Sequence, residues 1–207
     1  ALSNPNGNIM AIMPHPERTL GNEADDLFKS MRNYMESDDP FSFKSLNFSS
    51  KKINIKKFKK PAKQNEILVS TIIADNEAAS VEKCINSLGV KAKVKKYLHF
   101  EIDATGRLDI NTIVSTDVLF NPSKEYIANI KEESDIYRFL VRSKDDIVGQ
   151  SLAQTLQDRF NLSGLKSIKK GVVWEVKINS SRAKKDVDII LNSHIFSNPI
   201  SQECHEY

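Results

Sequence analysis

From residue 65 onward the apolar positions change period in a regular order, a continuous apolar run followed by helical spacing, and that order occurs twice. In the first pass Ile67-Leu-Val-Ser-Thr-Ile-Ile73 predicts a strand, Ala78 to Leu88 a helix ended by Gly89, and Val90 to Ile102 a long second strand. In the second pass Ile136 to Val141 predicts a strand, Ser151 to Phe160 a helix, and Leu165 to Ile178 a strand. The letters repeat as well. Gly89-Val-Lys-Ala-Lys-Val-Lys-Lys96 stands beside Gly164-Leu-Lys-Ser-Ile-Lys-Lys170, and Phe100-Glu101 beside Trp174-Glu175. Val118-Leu-Phe-Asn-Pro122 stands beside Ile195-Phe-Ser-Asn-Pro199, each closing an apolar-periodic stretch that predicts a further helix. Two copies about 75 residues apart imply an internal duplication. Its copies are expected to be related by an approximate two-fold axis that buries equivalent apolar faces against each other. Phe100 is expected to match Trp174, and Phe120 to match Phe196.

Ahead of the repeats the pattern is different. Asn8 to Met13 is an apolar run between a turn and two prolines, which predicts a short buried strand. Ala24, Leu27, Phe28, Met31 and Met35 recur at helical spacing behind a candidate N-cap, Asn22, and predict an amphipathic helix. Residues 37–64 keep no period and read as a linker. Much of the chain's lysine is gathered there (Lys51, Lys52, Lys56, Lys57, Lys59, Lys60 and Lys63), so the formal net charge of +3 is unevenly spread. A lysine block without arginines or a docking motif reads as a solvated linker rather than a nucleic-acid surface. The composition, 40% hydrophobic and 28% charged, fits globular domains, and no window approaches the roughly 18 apolar residues of a membrane span. With only two cysteines, read as free thiols, a reducing, cytoplasmic setting is expected. The turn-rich opening Ser3-Asn-Pro-Asn-Gly-Asn8 reads as a start inside a domain.

The sharpest chemical motif is Met13-Pro-His-Pro-Glu-Arg18. Alternate residues of an extended stretch project to one side, so His15 and Glu17 are placed to pair, with the flanking prolines fixing the backbone that presents them. In such a pair the carboxylate orients the imidazole, and the imidazole takes the proton of a cysteine or serine nucleophile.

The arrangement resembles the His-Pro-Glu end of class I glutamine amidotransferases, and the string Asn4-Pro-Asn-Gly-Asn-Ile-Met-Ala-Ile-Met-Pro-His-Pro-Glu-Arg18 is similar to the PurQ-type glutaminases of phosphoribosylformylglycinamidine synthases. The resemblance covers roughly the first 35 residues. It implies His15 and Glu17 as catalytic residues acting on a cysteine nucleophile that lies far upstream on a glycine-flanked turn. Neither cysteine here fits that role. Cys84 is read as a small core residue on a helix, and Cys204 lies in a strand-like tail. The chain alone is therefore not expected to hydrolyse glutamine.

The duplicated segments resemble the small PurS-type subunit of the same enzyme family, mainly through Gly164-Leu-Lys-Ser-Ile-Lys-Lys-Gly171 and Ile195-Phe-Ser-Asn-Pro-Ile-Ser-Gln202. The fold implied is α+β: duplicated βαββαβ-like PurS-type modules with antiparallel sheets forming a pseudo-dimer, at 65–132 and 133–207. They follow a strand-helix fragment of an α/β amidotransferase domain at 1–36 and the basic linker at 37–64. The implied activity is that of a carbon–nitrogen ligase using glutamine as amido donor in de novo purine synthesis. The implied partners are a large PurL-type synthetase subunit, which would carry ATP and magnesium, and the rest of the PurQ-type glutaminase. The substrates are glutamine, ATP and formylglycinamide ribonucleotide, with no nucleic acid or membrane as partner and no cofactor on this chain.

The other polar residues have plainer readings. His99 is read as a solvent-facing strand residue, and Trp174 as a core or inter-module anchor. His194, His205 and Cys204 lack the paired spacing of a closed zinc site, and no phosphate-binding glycine loop is present. Two rival readings stay open: a small-molecule-sensing α+β module with a vestigial amidotransferase tail, and a nucleic-acid adaptor working through the lysine linker.

Overall fold

Aspartate side chains fix where three of the helices begin. The computed structural model describes residues 2–4, 9–13, 15–18, 25–37, 55–61, 65–105 and 108–207. The chain divides into two units, Ala1–Ser49 and Ser50–Tyr207.

In the first unit, strands β1 (Leu2–Ser3) and β2 (Met10–Ala11) pair antiparallel, and helix α1 spans Asp25–Glu36. The Asn8 to Met13 run, expected to be buried, is instead exposed: Ile9, Met10, Ile12 and Met13 are 65%, 40%, 40% and 94% exposed. A two-stranded ribbon supplies no second layer to cover such side chains.

In the second unit, Lys56–Lys57 forms β3, Asn65–Thr71 β4, Ala92–Ala104 β5, Glu125–Ile127 β6, Ile136–Ser143 β7, Leu165–Ile178 β8 and Gln202–Glu206 β9. Helices α2 (Asn76–Ser87), α3 (Ile110–Val114), α4 (Ile147–Phe160) and α5 (Ala183–Asn192) lie between them. Asp75 caps α2, accepting from the backbone N–H groups of Glu77 and Ala78 at 2.9 and 3.0 Å, and Gly89 follows that helix in the left-handed region at φ 84°. Asp146 caps α4 and also accepts from the Lys170 N–H, tying the helix start to β8.

The architecture is mixed α+β. One sheet runs β3-β9-β7-β8-β5-β4-β6; all its pairings are antiparallel except β3 with β9. Each half reads βαβαβ rather than the expected βαββαβ, because β5 and β8 run 13 and 14 residues without a turn. The two expected sheets are also joined edge to edge rather than face to face. Pairing of β5 with β8 along their length leaves neither as an open edge.

Apart from β3, which has no counterpart, the strand order is symmetric about that central pair. Phe100 stands opposite Ile67, and Trp174 opposite Phe139, so Phe100 and Trp174 occupy matching places. On the same offset Leu98 matches Val172, and these two face each other, as a two-fold axis between them requires. The Asn-Pro turns repeat bond for bond. Asn121 and Asn198 each accept at Oδ1 from the N–H two residues on, and each donates its N–H to the side chain four residues on, Glu125 or Gln202. Before each turn stands a residue in the left-handed region, Asp117 at φ 57° and His194 at φ 56°. These turns place Leu119, not Phe120, in register with Phe196; both are buried, whereas Phe120 is half-buried. The expected pairing of Phe120 with Phe196 is corrected by one residue.

All four helices lie over one face of the sheet, and the core beneath them mixes the halves. Ala78 and Ile85 of α2 pack with Phe139, Trp174, Ile190 and Phe196, whereas Ala153 and Leu156 of α4 pack with Ile67, Phe100 and Ile113. Trp174 stacks on Phe196 at 5.5 Å between ring centroids. Cys84, expected in that core, is exposed: the buried stripe of α2 is Ala78, Val81 and Ile85, and Cys84 lies one step off it.

Candidate functional site

The His15–Glu17 pair is set by a tight turn that begins at Pro16. Pro16–Arg18 forms a single 3₁₀ turn, closed by the Arg18 N–H donating to the His15 carbonyl at 3.0 Å. The turn brings Glu17 Oε1 within 2.8 Å of His15 Nδ1. With Nδ1 engaged, Nε2 is the nitrogen left to face a nucleophile. Both side chains are more than half exposed, at 61% and 56%. The described residues thus hold an imidazole hydrogen-bonded to a carboxylate. Cys84 and Cys204 belong to the other unit. Burial pushes the Cys204 thiol up to about 11, against a hydrogen bond with Ser197 that works downward, so it is a poorly activated nucleophile.

The second polar cluster was not foreseen in the sequence. It lies on the sheet face away from the helices, where Leu68, Tyr97, Leu140 and Val173 form a small apolar patch roofed by Phe58, Ile130 and Tyr207. His99, expected to face solvent, is fully buried there. Its face of β5 is covered by the Ile55–Pro61 segment, read in the sequence as linker. Lys56–Lys57 adds to the sheet beside β9, and the Phe58 N–H donates to the Glu206 carbonyl at 2.6 Å. The Phe58 ring stacks on Tyr207 at 5.7 Å, meets His99 edge-on at 5.8 Å and carries the Arg142 guanidinium at 5.0 Å.

Beneath that cover His99 Nε2 pairs with Glu66, and Nδ1 with Arg142 at 3.3 Å. A guanidinium offers only donors, so Nδ1 accepts and Nε2 carries the proton toward Glu66. Arg142 also donates to Glu101 at 2.9 Å, and Tyr207 to Glu66 at 2.8 Å. Burial works to raise Glu66, yet hydrogen bonds from His99 and Tyr207 and the ammonium of Lys60 outweigh it and bring the carboxyl down to about 2. The Tyr207 phenol is pushed well above its ordinary range by burial and by Glu66. The cluster fastens Ile55–Pro61 to the sheet. Alternation along Leu98-His-Phe100 is the only trace of it in the sequence, and that pattern says nothing about a segment arriving from elsewhere.

Acid should loosen this fastening. Glu66 is depressed in the folded state, so its contribution is complete above about pH 4.5 and lost as pH falls toward about 2. Denaturation midpoints measured between pH 5 and pH 2 are expected to fall less steeply in Glu66→Gln than in the wild type. Parallel curves would show that Glu66 carries no such linkage.

Among the described residues no three His, Cys, Asp or Glu side chains are gathered for a metal ion, and no helix is long and apolar enough to cross a membrane. No protein-family model matches the chain, and no curated protein matches it in sequence.

Proposed function

We propose that the chain is part of a phosphoribosylformylglycinamidine synthase. In this reading residues 1–36 end its PurQ-type glutaminase domain, and 65–132 and 133–207 are tandem PurS-type modules that bridge the glutaminase to a PurL-type synthetase. One observation carries the reading: a string similar to the glutaminase end, finishing in the paired His15 and Glu17, shares a chain with a twofold repeat of βαβαβ order. Two features independently similar to parts of one enzyme are stronger support than either alone.

The division of labour follows from the residues present. His15 takes the proton of a cysteine elsewhere in the glutaminase, so that its thiolate attacks the glutamine carboxamide, and Glu17 holds the imidazole and stabilises its charged form. The released ammonia would pass to the synthetase, which would hold ATP and magnesium and where the glycinamide carbonyl oxygen of formylglycinamide ribonucleotide would be activated and replaced by nitrogen. The repeated modules have no chemical step in this scheme. Their mixed core makes one body of the two copies, which holds a fixed spacing between partners without the concentration dependence of a dimer.

The test is ATP-dependent amidation of formylglycinamide ribonucleotide by the complete polypeptide that carries these segments. Amidine formation with glutamine as donor is expected. No amidine from either glutamine or ammonia would overturn the assignment.

A further inference from the structure

On the open face of the sheet, the end of the central strand pair near Ala92 and Ile178 carries more positive charge than the fold requires. Lys93 stands directly opposite Lys177, and Lys95 lies two residues along on the same face, opposite Glu175. Like charges directly opposed across a strand pair are destabilising. At the symmetry-related end the same two places hold Ser167 and Asp103, also opposite each other, so the repeat does not demand lysine there.

These lysines border a concavity of about 320 Å³, completed by Lys131 from the loop before β7, Arg138 from β7, and the Tyr97 ring. That volume lies at the lower end of the range of small-molecule sites, roughly 300 to 1,000 Å³. Five cationic side chains line it against two carboxylates, Glu133 and Glu175. Both carboxylates are already engaged. Buried Glu175 accepts from Arg138 Nε at 2.8 Å and from the Tyr97 hydroxyl at 3.4 Å, with Lys95 at 3.8 Å, while Glu133 meets Lys177 at 3.3 Å. Lys177 also meets Asp135 at 3.2 Å, and Lys93 reaches Glu82 of α2 at 2.7 Å. Arg138, its side chain 10% exposed, is locked by Glu175 on one side and by the Lys131 carbonyl on the other. A guanidinium fixed in this way is oriented before any ligand arrives, and the ammonium groups at the rim can turn from their carboxylates to an anion.

We infer that this concavity binds the phosphate group of a small molecule. A neutral ligand would leave the opposed lysines as they are, whereas a phosphate of nearly two negative charges bridges Lys93 and Lys177 and adds Lys95 and Lys131 as donors. Burial and the Glu175 charge hold the Tyr97 phenol up to about 12, so it stays protonated across the physiological range. The inference rests on this face alone and stands or falls separately from the enzyme assignment.

The experiment is a heteronuclear NMR titration of the full chain with inorganic phosphate, pyrophosphate and ribose 5-phosphate, with sodium chloride holding ionic strength constant. Saturable shifts are expected at the amides of Lys93, Lys95, Lys131 and Lys177. Lys95→Ala/Lys131→Ala, two exposed positions whose loss should leave the circular dichroism spectrum unchanged, is expected to weaken binding at least tenfold. Inorganic phosphate alone binding would identify a free-phosphate site; tighter binding of ribose 5-phosphate would identify a phosphorylated metabolite. Non-saturating shifts, shifts matched by sulfate at equal ionic strength (an adventitious ion only), or binding indifferent to the double substitution would each overturn the proposal.

Discussion

Alanine at position 15 is expected to cut glutamine-dependent amidation by the complete enzyme by about 10² to 10⁴-fold, while amidation from added ammonia continues near the wild-type rate. The imidazole is needed only to create the attacking thiolate and to return its proton, and free ammonia bypasses both steps. Glu17→Ala should act in the same direction. Its carboxylate lies 2.8 Å from His15 Nδ1, and without it the ring loses the contact that sets its tautomer and orientation. Steady-state rates with the two nitrogen donors, compared for wild type and both variants, give the answer. Equal loss with both donors would assign the pair a structural role and remove the chemical basis of the glutaminase reading.

The largest effect on stability is expected from Arg142→Ala. This guanidinium joins three things on the open face: buried Glu101 at 2.9 Å, His99 Nδ1 at 3.3 Å, and the Phe58 ring at 5.0 Å. Removing it leaves the Glu101 carboxylate, 3% exposed, with Lys169 at 3.4 Å as its remaining ion-pair partner. Breaking one side of a buried ion pair costs about 3–5 kcal/mol, because the desolvated charge stays behind. Equilibrium urea denaturation should show a loss of that order. Glu101→Gln combined with Arg142→Met should lose less than the single change, since neither buried charge then remains. A double variant as unstable as Arg142→Ala would place the cost in packing around Phe58 instead.

Much of the second unit was legible because its elements obey local rules. Strand β8 falls on the expected Leu165–Ile178, and α2, at Asn76–Ser87, begins two residues ahead of the expected Ala78. Matching letters in the two halves carried the Phe100 and Trp174 equivalence through to the register. What escaped the sequence depends on contacts between distant segments. His99 alternates with Leu98 and Phe100 as an outward-facing residue should, and only the arrival of Phe58 and Tyr207 from remote parts of the chain buries it. Lys56 and Lys57 have poor strand propensity, and they pair because the outer edge of Gln202–Glu206 is there to receive them. The error at Cys84 was one of helical phase: a neighbour of Ile85 lies about 100° around the helix from it, enough to turn the thiol outward. The Asn8–Met13 run was read from its apolar letters and the turn and prolines that bound it, and such a local pattern does not reveal whether a covering layer exists. At the candidate site the pairing of His15 with Glu17 was foreseen from alternation along an extended stretch, whereas a 3₁₀ turn at Pro16–Arg18 is what brings the two side chains together.

The most direct measurement is labelling of the complete enzyme with an electrophilic glutamine analogue, read by intact mass and peptide mapping. The expected result is a single cysteine adduct outside Cys84 and Cys204, formed at least a hundredfold more slowly in His15→Ala, as loss of a general base requires. An adduct on Cys84 or Cys204, or labelling at the same rate without His15, would contradict the proposed glutaminase role.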